Sequence, residues 1–249
     1  MKFAAFDLEI AKPVEGDDWK GQRPLGISCA AVLPDGMEPY FWTGKPQLSQ
    51  SGVKSSVKML YWLIEKGYTV VTWNGAAFDF DILAEESGEH EACAQLAMNH
   101  VDLMAIVVAT QGHYLGLDKA AVGCGVESKL KSVTLKDGST HEAMNGAAAP
   151  ELWQAGETEA VIEYLKQDVR TTLAVAQNWA ETMSFAWTTG SGRFKREYIP
   201  GVWGGDLPTV EQLLNWKGRH AVDTSWMSSP PDLDVMLSWT GWGVHIFEG

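Results

Sequence analysis

The chain carries almost nothing that would staple it together. It has three cysteines in 249 residues, Cys29, Cys93 and Cys124, and none lies in a C-x-x-C pair or beside histidines at zinc-binding spacing. A disulfide framework and a structural zinc are thereby excluded, and free thiols are expected. No apolar run approaches the roughly 18 residues of a membrane-spanning helix, and the chain does not start with a basic stretch followed by an apolar one. A cytoplasmic protein with no membrane partner is expected. Positive charge is scarce, with 19 Lys and Arg against 32 Asp and Glu and a net charge of −13. A broadly basic, phosphate-coating surface is excluded by that balance. The six histidines show no H-x-H or H-E-x-x-H spacing, and neither a G-x-G-x-x-G turn nor a Walker loop occurs.

What is present is an ordinary apolar content of 45% over a length that suits one large domain with an appendage. Residues 2–9 (KFAAFDLE) read as a first strand and 25–33 as a second. Pro34-Asp35-Gly36 supplies the turn into a third strand at 38–42, so the first three strands form an antiparallel meander. Val53, Val57, Leu60, Leu63 and Ile64 recur at helical spacing before Gly67, which predicts a crossover helix over 51–66. Residues 68–73 (YTVVTW) read as a strand buried on both faces, stopped by Asn74-Gly75. Helices follow through Phe78, Ile82 and Leu83 and over 89–98, then a short strand at 100–104 with Asp102 capping the next helix.

Residues 117–125 read as a short helix, and 129–149 as a surface loop whose Lys129 and Lys131 are solvated. Thr158 is expected to cap the longest helix, about 158–185, with a stripe of Val161, Leu165, Val169, Leu173, Ala176 and Ala180. The fold class is thus α/β, a mixed five-stranded sheet flanked by helices. Residues 1–189 form the main domain, and 190–249 form a tryptophan-rich extension packed on it. One helix in the extension begins at Thr209, with Gln212 completing a capping box. The cluster of Arg193, Lys195 and Arg196 with Phe194 and Tyr198 suits a single-strand channel, and equally a solvated link with anchoring aromatics.

Three acidic elements concentrate the chemistry. In the strand end Phe6-Asp7-Leu8-Glu9, side chains alternate faces, so Asp7 and Glu9 share one face about 7 Å apart along the strand. Two acids so placed repel unless a cation lies between them. In Trp73-Asn74-Gly75-Ala76-Ala77-Phe78-Asp79, a strand turns at once into a helix, and Asp79 leans back over the strand ends. Asp81 is rotated about 200° from it and faces elsewhere. In Tyr164-Leu165-Lys166-Gln167-Asp168, the i, i+4 spacing sets Tyr164 and Asp168 on one helical face. A structural role for that pair, with Asp168 bound to Arg170 or Lys166, stays open on spacing alone. Four acids on a strand end, a helix start and a late helix provide what two divalent ions need, since Mg²⁺ and Mn²⁺ take oxygen ligands.

FDLE, NGAAFD and YLKQD, in that order, resemble the three motifs of the DEDD superfamily of 3′→5′ exonucleases, which share an RNase H-like fold. The likeness is to the Tyr-bearing subgroup that includes the proofreading domains of family B DNA polymerases, because Glu163 stands where the other subgroup has His. It covers about the first 185 residues. It implies that Asp7, Glu9, Asp79 and Asp168 bind two Mg²⁺ or Mn²⁺ ions and that Tyr164 orients or deprotonates the attacking water. It implies further that Asn74 and Phe78, with Leu8 and Ile10 beside the first motif, hold a single-stranded 3′ end, DNA more than RNA. Ile10 stands where many members have Thr, which removes a hydroxyl contact to the terminal nucleotide. Proofreading for a polymerase or trimming in DNA repair would follow from such an activity. An idle nucleic-acid-binding module and a structure-specific endonuclease on the same fold are the competing readings.

Overall fold

The computed structural model describes residues 1–16 and 18–241, so the last part of the expected extension, 242–249, lies outside the described residues. A five-stranded sheet forms the centre. Its strands are β1 (Lys2–Ile10), β2 (Ile27–Pro34), β3 (Tyr40–Thr43), β4 (Tyr68–Thr72) and β5 (Val101–Asp102), in the spatial order β3-β2-β1-β4-β5. β1, β2 and β3 pair antiparallel, whereas β4 runs parallel to β1 and β5 parallel to β4. This is the mixed sheet expected from the element order.

Period-two alternation along β1 divides the core. Ala4, Phe6, Leu8 and Ile10 point into one apolar layer, built with α1 (Gln50–Glu65), α2 (Asp79–Ser87) and α3 (His90–Asn99). Phe3 and Ala5 point into the other, built with α4 (Leu103–Gln111), α5 (Leu117–Cys124), α6 (Ala149–Gln154) and α7 (Thr158–Thr182). Asp7 and Glu9 continue the Phe3–Ala5 face and therefore open toward α7. At the strand's end the register with β2 slips between Glu9 and Ile10, a bulge that the Ser28 hydroxyl bridges by donating to the Glu9 carbonyl at 3.0 Å. Bulges re-aim side chains where they interrupt a ladder. α1 begins at Ser49, whose side chain accepts from Gly52 N–H, and buries Val53, Val57, Leu60 and Leu63; Ile64 falls outside the stripe and is 38% exposed.

Several expectations are corrected. Residues 100–104 give only two residues of strand before α4 begins, because Asp102 accepts from the Met104 and Ala105 N–H groups and starts the helix there. The region 129–149 is not a featureless loop. Ser132–Thr134 and Thr140–Glu142 pair antiparallel as β6 and β7, the Asp137 carboxylate accepting from Ser139 in the connecting loop. Those strands are three residues each, too short for alternation to register in the sequence. α7 is preceded by Glu157 and the Thr158 side chain does not cap it; Thr158 donates instead to Glu159 at 3.1 Å. α7 ends at Thr182 on Met183, which takes a left-handed φ of 46°, and Ala180 is only partly buried. The chain then enters a hairpin of β8 (Ser184–Thr188) and β9 (Phe194–Tyr198), across residue 190. β8 is covered by α5, and no Cβ fits on Gly123 against the Ala186–Trp187 backbone.

Beyond the hairpin, α8 (Val210–Asn215) carries the expected capping box of Thr209 and Gln212 and packs on α3 and α4. The short α9 (Leu233–Met236) follows. Trp239 donates from Nε1 to the Ala76 carbonyl at 3.0 Å, tying the extension to the turn before α2. Among the described residues no helix is long and apolar enough to cross a membrane.

Candidate metal centre

The acids of β1 meet those of α7 because both follow the same packing stripes. Tyr164, Leu165 and Val169 belong to the apolar layer under β1, and Asp168, one helical turn from Tyr164, is carried with them to the strand end. Asp7, Glu9 and Asp168 each bring a carboxylate oxygen to within 4.8 Å of the others. Asp79, in the first turn of α2, accepts from the Leu8 N–H at 3.1 Å, while Asp7 accepts from the same N–H at 3.0 Å. The four acids line one pocket of about 180 Å³ together with Leu8, Ile10, Trp73, Asn74, Phe78, Lys129, Gly146 and Tyr164. The side chains of Leu8 and Ile10 lie in the opposite core layer, so these two residues offer the pocket backbone. Asp81 points away, paired with Arg23 at 2.6 Å, as its angular position on α2 requires.

Such crowding moves protons. Burial, then the Asp168 charge, pushes the Asp7 carboxyl up to about 7, although Asp7 keeps contact with the pocket. Glu9 is held well above the ordinary range by burial and then by Asp7, and Asp79 likewise. Asp168 is raised by burial against the opposing pull of Lys129. Tyr164 is fully buried, and burial keeps its hydroxyl protonated far beyond neutrality.

The expectation of a solvated Lys129 is corrected. Its ammonium lies 2.6 Å from Asp168 and 4.9 Å from the Tyr164 ring centroid. Burial works against its charge, but Asp168, Tyr164 and Asp7 together hold it ionised. Asp168 therefore pairs with Lys129, not with Arg170 or with Lys166, which binds Glu163 instead. The loop bringing Lys129 in is fixed by α7, where Gln167 and Thr171 donate to the Ser128 and Glu127 carbonyls at 3.1 Å. Nothing in the local sequence marks this, because the partners are far apart along the chain.

A second group missed from the sequence builds the turn that aims Asp79. Asp102, buried at 1% exposure, accepts from the Asn74 and Ala76 N–H groups as well as from the start of α4. Asn74 takes a left-handed φ of 69°. Gly75 donates to the Thr72 hydroxyl at 3.1 Å, too close to Thr72 for a side chain, as an added Cβ would lie 2.6 Å away. The Thr72 hydroxyl lies 2.9 Å from His100 Nε2, and His100 Nδ1 faces the Leu96 and Ala97 carbonyls. That arrangement assigns the proton to Nδ1 and makes Nε2 the acceptor.

The residues fit a divalent cation. All the donors are hard oxygens, and two buried ones, Asp168 Oδ1 and the Tyr164 hydroxyl, have no hydrogen-bond partner among the described residues. Four converging acids faced by one lysine leave negative charge that a cation would neutralise.

Comparison with known proteins agrees with this architecture. No curated protein matches the chain. The fold is similar to that in the structure of the family B DNA polymerase from the hyperthermophilic archaeon Pyrobaculum calidifontis, with a TM-score of 0.53 at 19% identity. The likeness covers 72% of this chain and 24% of the polymerase, so the chain spans about a quarter of that protein's length, and at this identity it speaks for the fold alone. A family model described as RNase_H superfamily matches residues 43–180, a range that includes Asp79, Tyr164 and Asp168 and begins after Asp7 and Glu9. With more than half of its length matched and the mixed sheet in place, the chain belongs to the RNase_H superfamily.

Proposed function

We propose that the chain is a metal-dependent 3′→5′ exonuclease that hydrolyses phosphodiester bonds at single-stranded 3′ ends, DNA in preference to RNA, and releases nucleoside monophosphates. The observation that carries this reading is the meeting of Asp7, Glu9 and Asp168 within 4.8 Å, with Asp79 against the same Leu8 N–H as Asp7. These four carboxylates would hold two Mg²⁺ or Mn²⁺ ions, and ions bound there supply the charge that stabilises the oxygens entering and leaving phosphorus.

The chain's own groups do the rest. Tyr164 keeps its proton, so its hydroxyl orients the attacking water as a hydrogen-bond partner and does not act as the base. Lys129, permanently charged beside Asp168, would pair with a non-bridging phosphate oxygen of the scissile group. The Asn74 carboxamide makes no hydrogen bond among the described residues and would grip the terminal nucleotide, with the Phe78 ring as the apolar wall. Leu8 and Ile10 would add backbone contacts. Residues 1–189 would perform this chemistry.

Digestion of 5′-labelled single-stranded DNA and RNA with Mg²⁺ or Mn²⁺ tests the reading. A ladder shortening one nucleotide at a time from the 3′ end is expected, with circular single-stranded DNA resistant. Cutting of the circle, or full activity in Asp7→Ala, would overturn it.

A further inference from the structure

The β8–β9 hairpin presents a face that neither the core nor the proposed centre uses. Every residue of β9 is exposed, and its two aromatics are unusually so, Phe194 at 59% and Tyr198 at 78%. By strand alternation Phe194, Arg196 and Tyr198 share one face, the two rings about 13 Å apart with a guanidinium between them. Arg196 lies 5.9 Å from the Phe194 ring centroid, in keeping with that shared face. Arg193, Lys195 and Arg196 make no ion pair among the described residues, although the whole chain carries a net charge of −13. An acidic protein that leaves Lys195 and Arg196 unpaired between two exposed rings, with Arg193 unpaired just before them, has built a local exception. Its complement is a flexible polyanion with flat apolar groups.

We propose that the Phe194–Arg196–Tyr198 face binds single-stranded nucleic acid, receiving the stretch of substrate that leads away from the pocket. This rests on the exonuclease reading for what the strand is doing there, but the contact stands on its own residues. Stacking on exposed rings between cations tolerates any base sequence, which a processive trimming site requires. The ribbon is also connected to the pocket. α5 packs on both strands of the hairpin, and its last residue, Cys124, is followed by the loop that delivers Lys129 to Asp168. Four residues lie between Cys124 and Lys129, and the five Cα-to-Cα steps limit that gap to about 18 Å.

The test is fluorescence anisotropy with labelled dT20 and dT4 in EDTA, on the wild-type chain and on Phe194→Ala/Tyr198→Ala and Lys195→Ala/Arg196→Ala, with thermal melts as the control for folding. Wild type is expected to prefer dT20 over dT4 by tenfold or more. The aromatic double variant should lose about tenfold to a hundredfold in dT20 affinity. The cationic double variant should reduce the slope of log affinity against log salt by about one to two. Undiminished dT20 binding in both folded variants overturns the proposal and returns the ribbon to a protein partner. Hydrolysis is scored separately: a chain that trims dT20 while its variants bind normally keeps the exonuclease reading and loses this one. A chain that never cleaves yet loses binding in the variants keeps this one alone.

Discussion

Asp7 shows most directly how function and stability oppose each other at a single residue. Burial, and then the charge of Asp168, push its carboxyl up to about 7, so near neutrality the metal-free site is close to the point where repulsion sets in. Asp7→Asn should raise the melting temperature of the metal-free protein, by about 3 °C for each kcal/mol of repulsion relieved, while abolishing the proposed metal-dependent hydrolysis. A melt in EDTA beside a turnover assay checks both halves. Lys129 works in the opposite sense. Lys129→Met leaves Asp168 buried without a counter-charge, and the metal-free melting temperature should fall; Lys129→Arg should restore it. Unchanged melting of Lys129→Met would sink this account of the pair.

At the scale of elements, the turn from β4 into α2 decides where Asp79 points, and it is held from β5 and α4. Asp102→Ala would orphan four backbone N–H groups and should cost about 2–4 kcal/mol in urea denaturation, with Asp102→Asn costing less. His100 adds a pH dependence. Burial lowers it from 6.5 to about 4, so the folded state binds its proton later than the unfolded chain does. Its contribution is therefore present above the unfolded value of 6.5 and is lost as pH falls toward 4, up to about 3 kcal/mol. The raised carboxyls of Asp7, Glu9 and Asp79 gain stability over the same window, so His100 is read as a difference: as pH falls from 7.5 to 4.5, the urea midpoint of wild type should drop relative to that of His100→Gln. Equal slopes in the two proteins would remove His100 as the cause. The elements themselves were legible where periodicity was long, as in α1 and α7. They were illegible where three-residue strands gave no period, as in β6 and β7.

For the whole molecule, two apolar layers on either side of one sheet hold strand ends and helices so that acids on three separate elements share a pocket. A cation that binds only the folded chain must stabilise it. At a free concentration of Mn²⁺ one hundred times its dissociation constant, the gain is about 2.7 kcal/mol, or roughly 5–10 °C in melting temperature. Differential scanning fluorimetry with and without Mn²⁺ checks this, and Asp168→Ala should abolish the shift. No shift in wild type would contradict the fit of the oxygen cluster to a metal.

The amino-acid sequence alone determined the mixed sheet, the alternation that puts Asp7 and Glu9 on one face, the helical turn that pairs Tyr164 with Asp168, and the separation of Asp79 from Asp81. Each follows from a backbone period acting within a few residues. Only the tertiary structure decided that Lys129 closes on Asp168, that Asp102 and His100 brace the Asn74 turn, and that β9 stands open to solvent. These contacts join residues far apart in the chain, or depend on what covers an element. They arise from closure of the whole fold, to which no local spacing is sensitive.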